Sequence, residues 1–375
     1  MNKKIIISLL LAAMLLLSGC SSLILRDADV DAKQSILVIN GEHISKQAFM
    51  NTYNYNLYNE QYYAQMMAQF GASDGSVDET KVLQSTVESF VRSRVLTQKA
   101  AELGLDQFTE DEKNRLDEQA LEQYNNQLDS IKNTYFGDSE LDEAALAEQV
   151  AAYAENQGST LAYYRAYVEQ NEISNKIRSY LTDDVTVTDD DLQAALNAKI
   201  SEEKTRYESN PAAYGTAVNA GTAAYYTPAG YRAIRVIEIA KPAPDENGDS
   251  DSASAKADAD SLAERIAAGE AIDALGVDAK ELVVCETSTG LDETLRDSVM
   301  QLTEKGSVTP VTETATGFAI AEYMDDVAEH EATLDEVREA LSAETLQNKK
   351  NEAYTAAVQA WIDASDVSMY LDRLN

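Results

Sequence analysis

Histidine is almost missing from this sequence. Two occur among 375 residues, His43 beside a turn and His330 in an Ala-Glu-His-Glu-Ala stretch. Neither belongs to a metal-ligand spacing, and no Ser/His/Asp grouping or phosphate loop is present, so a solvent-facing role is expected for both and no cofactor is expected. Cysteine is as scarce, with only Cys20 and Cys285. That excludes a disulfide framework and leaves cohesion to apolar burial. Glu286 beside Cys285 disfavours a thiolate, and an inert, partly buried side chain is expected there. Positive charge is short too: 30 Lys and Arg face 65 Asp and Glu, a net charge of −35. Such a chain repels nucleic acid and anionic head groups, and stays soluble once exported. The one long apolar run is Ile5 to Leu17, behind Lys3 and Lys4. It falls short of the roughly 20 residues a spanning helix needs, but fits the apolar region of a secretory signal.

Helical periodicity fills most of what remains. "ILVINGEHISKQAF" reads as a short strand, a turn at Asn40-Gly41 and a helix that Ser45 can cap. That helix carries two stripes. Phe49, Tyr53 and Leu57 share one face, while Tyr55, Tyr58, Tyr62 and Met66 form another. The second stripe is either buried by a second neighbour or left for a client, and Tyr and Met suit adaptable contact surfaces. Leu83, Val87, Phe90, Val91 and Val95 face one way on the next helix, which Gly104 ends. Thr109 with Glu112 is a capping box for a helix to about Asn133, and further helices occupy about 141–156 and 160–182. Thr188 with Asp191 starts another. Against this pattern, "YRAIRVIEIA" (231–240) reads as a strand. An acidic low-complexity loop, a helix at about 257–268 and a short helix at 292–303 follow it. A hairpin around Thr316-Gly317 comes next, and Thr333 with Glu336 opens the last helix, which carries the only Trp, Trp361.

The run Ile5–Leu17 ends in "LSGCSS", which resembles the lipobox of bacterial lipoproteins. The resemblance implies that residues 1–19 are a signal peptide, that Cys20 is lipidated, and that 20–35 is a tether. Two acyl chains anchor stably where one binds only marginally, so a diacylglyceryl-Cys would hold the protein at the outer face of a bacterial cell membrane.

"VINGEHISKQAF" and "VLTQKAAELGL" (Val95–Leu105) resemble the opening motif and a helix end of the PrsA/SurA-type extracytoplasmic foldases. "GSVTPV…TGFAIAEY" resembles the closing segment of a parvulin-type peptidyl-prolyl isomerase, with Gly306, Val308, Pro310, Val311, Gly317, Phe318 and Ile320 in matching places. The fold so implied is α+β. A discontinuous helical chaperone domain (36–225, completed by 330–375) would be formed by both chain ends, with a small parvulin-like α/β domain (226–329) inserted. The partners implied are unfolded or partly folded exported polypeptides, the membrane through the lipid anchor, and no nucleic acid.

Aligning Ala233 with the family's first strand puts Arg235 at one family histidine. The second histidine falls on Ala319, and the acidic or thiol position falls on Thr287, near Cys285. Catalytic residues are therefore unassigned. Leu291, Leu295 and Met300, with Phe318, stand where the apolar proline pocket is expected. These replacements imply a weak or inactive isomerase on a chaperone scaffold. An active isomerase is the first alternative, and a surface lipoprotein scaffold or adhesin the second.

Overall fold

The computed structural model describes residues 27–137, 139–242 and 252–374. The signal segment, Cys20 and most of the acidic loop lie outside the described residues. The fold is α+β, predominantly helical with small antiparallel sheets. Its contacts divide it into two compact units: residues up to Val185 together with Lys350 onward, and Thr186–Lys349.

The first unit is closed by a three-stranded sheet in the order β2-β1-β9, from β1 (Ser35–Ile39), β2 (Glu42–Ser45) and β9 (Val367–Met369). Asn40 and Gly41 link β1 to β2 with φ of 49° and 85°, the pair of positive values a two-residue hairpin requires. The Asn40 side chain also reaches the far end of the chain, where Oδ1 accepts from the Asp366 backbone N–H at 2.7 Å. Leu37 pairs with Met369 and Ile39 with Val367, so the two chain ends are joined strand to strand.

After a short α1 (Ala28–Ala32), helices α2 (Lys46–Gln69) and α3 (Glu79–Glu102) cover this sheet. The core between them holds Ile36, Leu37, Ile39, Phe49, Val91 and Val95, with Trp361 packed against it. Caps set the helix starts: Ser45 accepts from the Ala48 N–H and Asp78 from those of Thr80 and Lys81. Gly104, at φ 71°, ends α3. Then come α4 (Glu110–Tyr135), α5 (Glu143–Asn156) and α6 (Leu161–Thr182). They share only small cores: Leu116, Ala120 and Val168 in one, Ile131, Val150 and Ala154 in the other.

The second unit opens with α7 (Asp189–Ser209), started by the Thr188–Asp191 capping box, and the short α8 (Ala212–Asn219). Its main sheet runs β5-β4-β7-β6, antiparallel throughout, from β4 (Tyr231–Ala240), β5 (Ala279–Val284), β6 (Thr312–Glu313) and β7 (Gly317–Val327). A second, two-stranded ribbon pairs β3 (Tyr226–Thr227) with β8 (His330–Glu331). One sheet face is covered by α9 (Ser252–Ala267) and a 3-10 turn at Ile272–Ala274, the other by α10 (Glu293–Met300). The last helix, α11 (Leu334–Ala364), begins here, and its Leu341 packs with Leu192, Leu196 and Ile200 of α7.

Candidate functional site

The two stripes of α2 part company. Phe49 is fully buried and stacks on Phe90 with ring centroids 5.6 Å apart, and Tyr53 packs against the same core. Burial, and then the nearby Glu79 carboxylate, raise the Tyr53 phenol above its ordinary pKa. Asn56 on this side donates to Thr86 Oγ1 at 3.0 Å, tying α2 to α3. The other stripe has no such neighbour. Tyr55, Tyr58 and Tyr62 are 64–67 % exposed and Met66 is half-buried; Tyr63, beside the stripe, and Phe70, at the C-cap, are exposed as well. Further exposed tyrosines sit on α6, where Tyr163 and Tyr167 stack at 6.5 Å. Rigid amphipathic rings presented in rows can accept apolar segments of varied shape.

The sheet unit treats the other sequence-derived positions differently. Successive strand residues point to opposite faces. Arg235 alternates with Ile237 and Ile239 and is paired across the sheet with Glu281 and Glu322. Its guanidinium, 19 % exposed, holds Glu281 at 3.0 Å and Asp273 at 3.2 Å. The hydrogen bond to Glu281 raises its pKa further, so the cation is permanent. Ala319 lies on the opposite face, in the core of Ile234, Val236, Leu295 and Val299.

Arg235 and Ala319 are therefore not neighbours on one floor. In the register of β4 with β7, Ala319 stands directly opposite Glu238, with Val236 next along the same face. Thr287 lies in the turn after β5, exposed, with Oγ1 3.4 Å from Cys285 Sγ.

The expected apolar pocket is divided in the same way. Leu295 is 1 % exposed and fills the core under α10, with Leu291 and Met300 packed at its edge. Phe318 is on the other face, against Ala255 and Ala259 of α9. The four do not line one cavity. Leu295 touches nothing outside unless α10 lifts.

Cys285 is buried in a cluster with Tyr207, Tyr214 and Tyr231. Burial pushes its thiol up, but hydrogen bonds at Sγ from Thr287, Ser288 and Tyr231 outweigh that and leave it below its ordinary value. Hydroxyl donors, not Glu286, set its chemistry, while burial keeps it from reagents. The sequence reading also missed Arg232. Its Nη1 donates to the carbonyls of Val299 and Leu302 at 2.7 and 2.8 Å, closing the C-terminal end of α10. His43 and His330 are exposed, bonded to Ser35 and Glu336.

Residues 2–127 match the sequence-family model of the SurA-like N-terminal domain. The match lies within the first unit, which thus contains a SurA-like N-terminal domain. Among solved structures it is similar to a SurA-like chaperone of Campylobacter jejuni, with 10 % identity, 90 % of this chain and 99 % of that one covered, and a TM-score of 0.31. It is also similar to PrsA of Bacillus subtilis (17 % identity, 89 % and 93 % covered, TM-score 0.21). The foldase PrsA of Streptococcus pneumoniae gives 13 %, 88 % and 92 %, and 0.22. The sequence match to the SurA-like N-terminal domain extends no further than residue 127. No curated protein matches the chain. Among the described residues no helix is long and apolar enough to cross a membrane.

Proposed function

We propose that this protein is a lipid-anchored extracytoplasmic chaperone that holds unfolded exported polypeptides on the tyrosine-bearing helices of its first unit. The parvulin-like region, residues 226–329, is nearly silent as an isomerase. One observation carries the reading. The second stripe of α2 stands open, with Tyr55, Tyr58 and Tyr62 exposed along it and Tyr63 exposed beside it, on a helix whose other face is anchored in the core. Burying one such ring against a client is favourable by about 1.5–3 kcal/mol, so several together give useful affinity without a fixed shape. The SurA-like match over residues 2–127 supports the same role, because it covers that helix.

Changing Tyr55, Tyr58, Tyr62 and Tyr63 together to Gln keeps helix propensity and removes the rings. Light scattering from a denatured model client should then rise to nearly the level seen without chaperone. Undiminished protection by the variant would sink the reading. The anchor is tested separately: Cys20→Ala should move the protein from the membrane fraction to the soluble one, and retention in the membrane would reject lipidation at Cys20.

A further inference from the structure

The first unit also has a polar surface, rich in carboxamides. Helices α4 and α6 lie antiparallel, clamped by Lys176–Glu112 at 2.8 Å, Arg115–Glu172 at 2.7 Å and Arg165–Asp117 at 2.8 Å. Between them runs a cleft of about 440 Å³. Five carboxamides wall it, Gln119, Gln123 and Asn126 from α4 and Asn171 and Asn175 from α6, with Val168 at its base. The spacings of four and three residues put each set in one stripe along its helix. None of the five carboxamides has a hydrogen-bond partner among the described residues.

We propose that this cleft binds extended polypeptide through its main chain, for segments that are neutral or basic. A carboxamide offers the same donor and acceptor as a peptide group, so it can pair with any residue regardless of side chain. This chain already uses that pairing on itself. Asn219 holds the open edge of β5 by donating to the Val283 carbonyl at 2.9 Å and accepting from the Val283 N–H at 2.7 Å. Gln98 likewise donates to the Ile39 carbonyl at 3.2 Å. From 115 to 126 the α4 wall is about 16 Å long at about 1.5 Å per residue, the span of about five residues of extended chain. The charges lining it are Arg115, already paired with Glu172, and Glu122, which leaves the cleft slightly negative and turns away acidic segments.

The proposal rests on the client-binding reading above and supplies a contact that reading lacks, one to backbone. The test uses the full-length protein and a fluorescein-labelled Ser/Ala/Thr peptide of about twelve residues, long enough for the five the wall can hold, with no aromatic residue and no net charge. Its twin carries methyl groups on alternate main-chain nitrogens. Anisotropy should show binding of the parent peptide and about tenfold weaker binding of the twin, the loss expected for a few main-chain hydrogen bonds. The variant Q119A/Q123A/N171A, checked for unchanged helicity, should lose the parent peptide to a similar extent.

Equal binding of parent and twin, an unaffected variant, or no binding of the parent at millimolar concentration would each overturn the proposal. The tyrosine variant distinguishes the two readings. If it protects a client fully while the triple alanine variant still loses the peptide, client holding on the tyrosines fails and the cleft stands.

Discussion

Tyrosine is used in opposite ways by the two units. In the second, Tyr207, Tyr214 and Tyr231 form a buried chain of edge-on rings, with centroids 5.5 and 4.8 Å apart. In the first, tyrosines stand out into solvent, and every strongly exposed large apolar side chain among the described residues lies there. The sheet of the second unit is covered on both faces and leaves nothing comparable open. One unit is finished as a core, and the other keeps apolar surface that its own packing does not need. Composition alone could not have separated them, since the residue type is the same.

The two units can be broken separately. Phe49→Ala removes the ring at the centre of the first core and should cost about 3–5 kcal/mol. Hydrogen exchange should then lose protection at β1 and β9 while β4 and β7 keep theirs. Loss at both sheets would mean that the units unfold together. Gly317→Ala tests the other side. A Cβ there would lie 2.0 Å from the Ile239 carbonyl oxygen, where β7 starts against β4. Overpacking of this kind costs about 1–3 kcal/mol, and protection should fall at β4 and β7 only. An unchanged exchange pattern would show that the strand ends separate freely.

Much of this was legible because it is written locally. The caps at Ser45, Thr109 and Thr188, the Asn40-Gly41 turn and strand 231–240 rest on neighbours within a few residues, and all appear in the structure. What escaped depends on distant partners. Strand β9 exists because it pairs with β1 at the other end of the chain. Helix α8 is built mostly from small residues and carries no clear apolar stripe. A Cβ at Gly215 would meet the Val283 carbonyl oxygen at 2.6 Å, so its glycine serves close approach to β5. Strand β5, an edge with exposed Lys280 and Glu281, shows no clean alternation. Strand phase explains the site. The resemblance points to Arg235 and Ala319 in sequence, and the register of β4 with β7 sets the two on opposite faces.

That separation sharpens the comparison at the level of chemistry. In a parvulin-like site the resemblance calls for paired histidines beside an acidic or thiol group. Here the Ala319 face offers Ile234, Val236 and Ala321, its polar members are already engaged, Glu238 with Lys280 and Arg232 with the Val299 and Leu302 carbonyls, and Arg235 is tied to Glu281 and Asp273 on the other side. Neither face carries a histidine, since the two in the sequence are His43 and His330. Each tenfold acceleration needs about 1.36 kcal/mol of selective stabilisation, and side chains already committed to Lys280 and to the α10 carbonyls are poorly placed to supply it. A protease-coupled assay on an Xaa-Pro peptide should give less than a tenth of an ordinary parvulin's rate. A rate within tenfold of one would show that other residues have rebuilt the site.

The smallest expected difference concerns acid, and it compares one device present in both units. In the first, Glu112 closes the Thr109 capping box and also takes Lys176 from α6; the Lys176 hydrogen bond, then the Thr109 backbone, push its carboxyl from 4.5 down to about 2. In the second, Asp191 closes the Thr188 box and takes Lys349 from α11; the Lys349 bond, then Thr188, push it from 3.8 down to about 2. Both folded values are depressed, so each contribution is fully present above the unfolded pKa and is lost as pH falls towards the folded one. For Glu112 that window opens at about 4.5, for Asp191 at about 3.8. Helix α4 should therefore feel acid before α7. Both carboxylates are only partly buried and remain open to solvent, so each step is modest and salt shrinks it. Thermal melts between pH 5 and pH 2 should show Glu112→Gln flattening the upper part of the decline and Asp191→Asn only the lower part. Identical melting curves for the two variants and the parent would show that neither box is coupled to the stability of its unit.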